Sequence, residues 1–184
     1  MKVLAICGSP RNNGNIAYLL ENICNELNKR GINTKLLKLA DYKIEMCNGC
    51  LICEETNCTG DCSIKDDMHN VIYNMILEAD MLIFGTPSYF DMPSGLLKNF
   101  LDRSNAILSK IIDKKYKYGL VVVGQSEMTS LDSVCDSLRK YCNICEMDEI
   151  IKSPLKLIVR DIGEAEKNPE VYKLINNFVT SYFG

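Results

Sequence analysis

The stretch Lys2-Val3-Leu4-Ala5-Ile6-Cys7-Gly8-Ser9-Pro10-Arg11-Asn12-Asn13-Gly14-Asn15-Ile16 decides the fold. Residues 2–7 are apolar and β-branched enough to read as a buried strand, and Gly8 ends it. From residue 15 to residue 30, Ile16, Leu19, Leu20, Ile23, Cys24 and Leu27 recur at helical spacing, and Gly31 closes the helix. A strand that turns through Gly, Ser, Pro and Asn into a helix leaves unpaired backbone N–H groups at the helix start. With the positive end of the helix dipole they form a ready anion site.

Outward from this unit, the same two periods alternate. Residues 33–39 read as a second strand. Residues 41–65 follow neither period and are rich in Cys. Asp66 reads as an N-cap, with Asp67 in the first turn of a helix carrying Val71, Ile72, Met75 and Ile76. Residues 81–85 form the cleanest central strand, and residues 86–93 are a turn-rich stretch after it. Residues 95–108 read as helix, 118–124 as a buried strand and 131–143 as helix. Residues 149–157 hold a fifth strand around Pro154, and 171–182 the last helix, opened by Asn168-Pro169. Strand and helix alternate five times, which predicts an open, mostly parallel sheet covered on both faces. Ligands of such sheets bind beyond the carboxyl ends of the strands, here the loops 9–15, 86–93 and 124–129.

The totals narrow the classes. At 184 residues with a net charge of −3, the chain suits one domain with a substantial core, and it carries no basic surface for nucleic acid or anionic membrane. No apolar run approaches the roughly 20 residues of a membrane span. Lys2 and a very short apolar run are too little for a signal peptide, so the expected location is cytoplasmic. In a reducing compartment the ten cysteines point to metal or redox use rather than disulfides.

Gly8 and Gly14 bracket the first loop, and no Lys-Ser or Lys-Thr follows Gly14. That disfavours a triphosphate loop, and the dinucleotide fingerprint G-x-G-x-x-G is absent. The Ser9 hydroxyl, the Arg11 guanidinium, the Asn15 amide and the backbone N–H groups suit one terminal phosphate. The plain alternative is an ordinary strand-to-helix turn with a solvated Arg.

Gly8-Ser9-Pro10-Arg11 followed by Gly14-Asn15 resembles the opening motif of the NADPH-dependent FMN reductase family, which are flavodoxin-like flavoproteins. Residues 86–103, Thr-Pro-Ser-Tyr-Phe-Asp-Met-Pro-Ser-Gly-Leu-Leu-Lys-Asn-Phe-Leu-Asp-Arg, resemble that family's flavin-ring loop and the helix after it. The resemblance implies a flavodoxin-like α/β fold: a doubly wound, five-stranded parallel sheet in the order 2-1-3-4-5. It implies one FMN-binding domain over residues 1–184, with a Cys-rich excursion at about 41–65. FMN would be bound by Ser9, Arg11, Asn13, Gly14, Asn15 and Ile16, and by Pro87, Ser88, Tyr89, Phe90, Asp91, Met92 and Gly124. Ile16 stands where the family usually has Thr or Ser, so one hydroxyl bond to phosphate is lost there.

A flavin ring needs an apolar or aromatic face and backbone donors at its polar edge, and Pro87-Ser88-Tyr89-Phe90 offers both. Tyr89 and Phe90 also suit core or dimer contacts, and Asp91 suits solvent or a turn cap. Asp102 and Arg103 resemble a recurring structural pair. Gly124-Gln125-Ser126-Glu127 is placed to touch the ring's pyrimidine edge. Hydride transfer to a flavin needs stacking rather than an acid or base. No side chain is therefore expected to be catalytic, and His69, the one His, falls on a helix away from all three loops.

Five cysteines, Cys47, Cys50, Cys53, Cys58 and Cys62, fall within sixteen residues. Zinc sites use two separated C-x2-C pairs, whereas overlapping C-x2 steps wrap a compact cluster. The pattern resembles the cysteine motif of iron–sulfur flavoproteins, a branch of the same family with a [4Fe–4S] cluster. Its ligands here would be Cys47, Cys50, Cys53 and either Cys58 or Cys62. Free thiols, zinc and a disulfide remain open readings. Cys142 and Cys145 read as packing, and Cys7, Cys24 and Cys135 as core residues.

The expected function is an FMN-dependent electron-transfer oxidoreductase that couples FMN to the cluster. NAD(P)H or a ferredoxin-type carrier would be the donor and a small molecule the acceptor, and the resemblance implies a homodimer or homotetramer. Two rival readings stand beside it. One is an NAD(P)H-dependent FMN or quinone-type reductase without a cluster. The other is a non-enzymatic scaffold with a zinc- or thiol-bearing partner surface.

Overall fold

The computed structural model describes residues 1–60, 62–151 and 153–181. In chain order these form β1 (Lys2–Cys7), α1 (Asn15–Lys29), β2 (Asn33–Lys38), α2 (Ile52–Glu55), α3 (Tyr73–Glu78), β3 (Met81–Tyr89), β4 (Met92–Pro93) and α4 (Gly95–Arg103). They continue with α5 (Leu108–Lys114), β5 (Lys117–Gly124), α6 (Met128–Ile144), β6 (Asp148–Glu149), β7 (Leu155–Ile158), α7 (Glu164–Lys167) and α8 (Val171–Ser181).

The sheet runs β2-β1-β3-β5, with β6 and β7 both on the outer edge of β5. All these pairings are parallel, and among the described residues only β4 turns back antiparallel, on β3. Counting β6 and β7 as two pieces of one edge gives the order 2-1-3-4-5 expected from sequence. Alternation sorts the strand residues onto two cores. Val3, Ala5 and Cys7 pack with α1 and α8, while Leu4 and Ile6 pack with α3, α4, α5 and α6. No helix among the described residues is long and apolar enough to cross a membrane.

Three elements differ from the sequence reading, each for a local reason. The fifth strand breaks where the register on β5 jumps from Tyr118–Glu149 to Val121–Leu155, and Pro154, which lacks a backbone N–H for the ladder, stands just before the second piece. Ile151 fills the space over Gly119, where a Cβ would sit 2.9 Å from Ile151 Cδ1. The helix at 95–108 tightens into a 3-10 turn over Ser104–Ile107. There the Arg103 carbonyl accepts from Tyr73 Oη at 2.7 Å and Ser104 Oγ donates to the Leu101 carbonyl at 2.7 Å, so both compete with the helix ladder. The helix after Asp66 opens as a π-helical turn, Met68–Ile72, before α3. Val71 faces solvent rather than the core. Tyr182, the expected end of the last helix, lies outside the described residues.

The chain reversal after α1 follows its sequence closely. Gly31 has φ +79°, its N–H bonds the Asn28 carbonyl at 3.0 Å, and the Ile32 N–H bonds the Leu27 carbonyl at 3.1 Å. These two bonds cap the helix and point β2 back alongside β1.

Candidate functional site

A cleft of about 880 Å³ opens at the carboxyl ends of β1, β3, β5 and β7. It gathers Ser9, Arg11, Gly14, Asn15 and Ile16 from the first loop, and Pro87, Ser88, Tyr89, Phe90 and Asp91 from the second. Gly124, Gln125 and Ser126 line it from the third loop. Of the residues named from sequence for the cofactor, Asn13 and Met92 do not line it. Val159, Arg160, Asp161 and Ile162, after β7, line it as well and were not anticipated. The rule of strand carboxyl ends applies to them equally, but the broken edge strand hid where that end lies.

The first loop is shaped by short bonds. Ser9, buried, accepts the Arg11 N–H at its Oγ at 3.1 Å. Gly14 precedes α1 with extended backbone, and a Cβ there would stand 3.2 Å from Arg11 Cβ. The loop is therefore closed up against itself, while the first N–H groups of α1 have no partner within the helix. Asn15 uses its side chain elsewhere: Nδ2 donates to the Asp161 carbonyl at 2.9 Å and Oδ1 accepts the Ala165 N–H at 3.0 Å. It ties the loop after β7 to the start of α1, leaving its backbone N–H for the cleft. Ile16 is buried and packs towards Gly85, so the position without a hydroxyl serves the core.

Behind this loop, Gly8 brings β1 against the start of α4. A Cβ at Gly8 would come within 2.6 Å of Leu97 Cβ. Ser94 caps α4 by accepting the Leu97 N–H at 3.1 Å, and its hydroxyl donates to the Gly8 carbonyl. Thr86 Oγ1 accepts the Ser94 N–H at 3.0 Å.

The second loop is a β-hairpin. Ser88 pairs with Pro93 and Tyr89 with Met92, and Phe90 and Asp91 make the turn at φ 52° and 59°. Both turn residues occupy the left-handed region that such tight hairpins require. Asp91 does not simply face water: it accepts from the Ser130 hydroxyl. Since that proton is committed, Ser88 Oγ is the donor in its 3.1 Å bond to Ser130 Oγ. The chain Ser88–Ser130–Asp91 fixes the hairpin to α6. Gly124 keeps the floor between the loops open, because a Cβ there would meet Leu131 Cδ2 at 2.5 Å and Ser88 Cβ at 3.3 Å.

The cysteine segment lies apart from this cleft, on the face of α3–α6. Its two ends form a closed neck. Lys43 N–H donates to Asp67 Oδ2 at 2.7 Å, Glu45 N–H to Asp66 Oδ2 at 2.7 Å, and Asn99 Nδ2 to the Ile44 carbonyl at 3.0 Å. Arg103, with a fully buried side chain, forks onto Asp66 at 2.7 and 3.0 Å and also reaches the Glu45 and Ile64 carbonyls. Asp102 and Arg103, read as structural, each pair within the chain: Arg103 with Asp66, and Asp102 with Lys98 on the surface. Burial alone would raise the Asp66 pKa, but the bonds from Arg103 and from the Glu45 and His69 N–H groups hold it below the usual carboxylate range.

Beyond the neck, Cys47 and Cys50 are exposed, and Cys53, Cys58 and Cys62 are half-buried. A hydrogen bond with Ser63 lowers the Cys50 thiol pKa, whereas burial raises that of Cys58. Among the described residues, no three Cys, His, Asp or Glu stand together so as to hold a metal ion. Cys142 and Cys145 are buried on α6 and the loop after it, as their packing role requires. His69 stacks edge-on to Tyr73 beside the neck, away from the cleft.

Residues 1–152 match the family described as NADPH-dependent FMN reductase. An iron-sulfur flavoprotein of Archaeoglobus fulgidus is 46% identical over 104 residues, which span 56% of this chain and 49% of that protein. An iron-sulfur flavoprotein of Methanocaldococcus jannaschii is 34% identical over 147 residues, 80% of this chain and 74% of that one. Among solved structures, the apo form of an NADH:FMN oxidoreductase superposes with a TM-score of 0.69 at 20% identity, over 98% of this chain and 87% of that one. An archaeal flavodoxin gives a TM-score of 0.62 at 9% identity, over 100% and 97% of the two chains. At such identities the two structures attest the flavodoxin-like fold alone. The match over residues 1–152 attests more: the chain belongs to the NADPH-dependent FMN reductase family.

Proposed function

We propose that this chain moves electrons through FMN held in the cleft at the strand carboxyl ends, and that its cysteine segment carries a [4Fe–4S] cluster as a second redox centre. The observation that carries the flavin assignment is that one cleft is lined both by the start of α1 and by the hairpin after β3. The two loops offer complementary chemistry. Ser9, Arg11 and the N–H groups around Gly14, Asn15 and Ile16 would bind the phosphate. Pro87, Ser88, Tyr89, Phe90, Asp91 and Gly124 would flank the ring, with Asn13 and Met92 shaping their loops from outside. FMN supplies hydride and single-electron chemistry when bound. The chain's part is to anchor the phosphate, hold the ring plane and keep the hairpin still through Ser88, Ser130 and Asp91. No side chain is assigned a proton-transfer role.

For the cluster, the donor chemistry fits: soft thiols are dense in the segment, and all ten cysteines of the chain are free. Cys47, Cys50 and Cys53, with Cys58 or Cys62, would hold it, and it would supply one-electron transfer. A nicotinamide or a small iron–sulfur carrier is the donor class in this reading, and a small molecule the acceptor. Free thiols support a cytoplasmic setting. The single FMN-binding domain forms a homodimer or homotetramer, supported by the hairpin tip: Phe90 is fully exposed and Met92 half-exposed, a poor arrangement for a monomer in water.

The second reading, a reductase with FMN and no cluster, is favoured by the spread of the thiols, since no three metal-ligating side chains converge among the described residues. Anaerobic purification followed by an absorption spectrum and iron, sulfide and zinc analysis separates the two. Flavin bands over a broad iron–sulfur shoulder support the proposal, and flavin bands alone support the second reading. A colourless protein that FMN cannot reconstitute would overturn both. Within the first outcome, Cys58→Ala and Cys62→Ala differ in iron content, and the ligand is the one whose loss removes iron.

A further inference from the structure

One helix grips the cysteine segment, and two of its grips end on sulfur. Asn105 Nδ2 donates to Cys53 Sγ at 3.3 Å, and Arg103 Nη2 donates to Cys62 Sγ at 3.5 Å. The two donors sit two residues apart where α4 runs into the 3-10 turn, so a single rigid stretch addresses two sulfurs nine positions apart in sequence. Cys58 is held differently, through its carbonyl, which accepts from Ser109 Oγ at 2.9 Å. Cys47 and Cys50 are exposed, and Cys50 Sγ meets only Ser63 among these hydrogen bonds.

Stability alone accounts poorly for this. A buried Arg–Asp pair is about neutral against an apolar pair of the same volume. This Arg103 also leaves its Nε–H buried without a partner, which is a cost. Its fork is aimed instead at the segment: Glu45 before the cysteines, Ile64 and Asp66 after them, and Cys62 itself. Polar groups that bond to a ligating atom fix its orientation and are a regular companion of metal ligands.

We propose that Asn105 and Arg103 are positioning residues that orient the sulfurs of Cys53 and Cys62 as an anchored pair of soft-metal ligands. This rests on the reading that the cysteine segment is a metal-binding element, and it goes beyond that reading in naming the two side chains that make it one. Metal ligation would then begin at Cys53 and Cys62, with the exposed thiols joining them.

The test uses the full chain loaded with FMN, kept reduced and metal-free, and titrated with cobalt(II) alone as the probe. Wild type is expected to develop a sulfur-to-cobalt charge-transfer band. Asn105→Leu, which keeps the volume and removes the donor, should weaken cobalt binding about ten- to a hundredfold. It should also move the band to lower energy, because the sulfur electrons lose a stabilising N–H. Arg103→Lys should act in the same direction at Cys62. The double variant Arg103→Met/Asp66→Leu removes both charges together, so it keeps the experiment decisive if the single Arg103 variant fails to fold. FMN affinity within twofold of wild type in all variants separates positioning from collapse. Cobalt affinity and band energy unchanged in Asn105→Leu and in the double variant would overturn the proposal, as would a wild type with no thiolate–cobalt band. The cluster reading stands or falls separately, on iron and sulfide in anaerobically purified protein.

Discussion

The loop at residues 8–16 and the segment at residues 42–67 are both pinned by side chain–backbone hydrogen bonds, but the pins do opposite work. In the first, Ser9 bonds its own turn and Asn15 bonds the loop after β7. The start of α1 keeps its N–H groups towards the cleft, and Arg11 stays exposed at its edge. In the second, Arg103, Asp66 and Asp67 use their hydrogen-bonding capacity to close the neck on itself. The difference is one of direction: in one, helix-start donors line a preformed cavity; in the other, the donors bond within the chain, all but the Arg103 Nε–H.

The largest expected effect is on the neck. Asp66→Ala strands a buried guanidinium and should cost about 3–5 kcal/mol of stability by urea unfolding. FMN affinity of the folded protein should stay within twofold of wild type, because the cleft contains none of these residues. A loss of flavin binding parallel to the loss of stability would break the contrast between the two regions. The same pair sets an acid limit. Asp66 has a native pKa below its unfolded value near 3.9, so its stabilisation is complete above that value. It is lost as pH falls through the lower native pKa. The stability gap between wild type and Asp66→Ala should therefore close in acid and stay constant from pH 6 to 8.

The next effect is on the cleft. Arg11→Ala should weaken FMN binding by about 1.5–3 kcal/mol, roughly 10- to 150-fold, if the guanidinium makes a charged bond to the phosphate. Unfolding in urea without FMN should be unaltered, since Arg11 contributes only its backbone to the loop. An unchanged FMN titration would return Arg11 to the status of a solvated surface residue and move the anion contact elsewhere.

Much of this arrangement was readable from local patterns. The alternation at Val3–Cys7 and the helical spacing through Leu27 locate β1 and α1, and Gly31 closes the turn as its position predicts. The three loops at strand carboxyl ends do line one cleft. What stayed hidden was long-range. Asp66 reads locally as a helix cap, and it does accept the His69 N–H at 3.3 Å, but its larger partner is Arg103, thirty-seven residues on. Arg103 in turn sits beside Asp102 in sequence, and on a helix adjacent residues point apart. The loop at Val159–Ile162 was missed because the break in the edge strand before Leu155 disguises where that strand ends.

The smallest effect tests a hydrogen-bonded link from the first loop towards the second region. Asn12 Nδ2 donates to Asp41 Oδ1 at 2.5 Å, and Lys38 Nζ reaches the Asn12 carbonyl at 3.2 Å. Asp41 closes the 3-10 turn Leu39–Asp41, from which the chain enters the cysteine segment. Asn12 thus ties the loop at residues 8–16 to the root of that segment. The bond is exposed, so Asn12→Ala should weaken FMN binding by only about 0.5–1 kcal/mol, through a looser loop rather than a lost contact. Measured by FMN titration alongside cobalt titration of the thiols, an effect confined to FMN means the two regions are independent modules on one sheet. A matching change in cobalt affinity would mean that the loop and the segment share one conformational equilibrium, and reciprocity then requires that loading either region tightens the other.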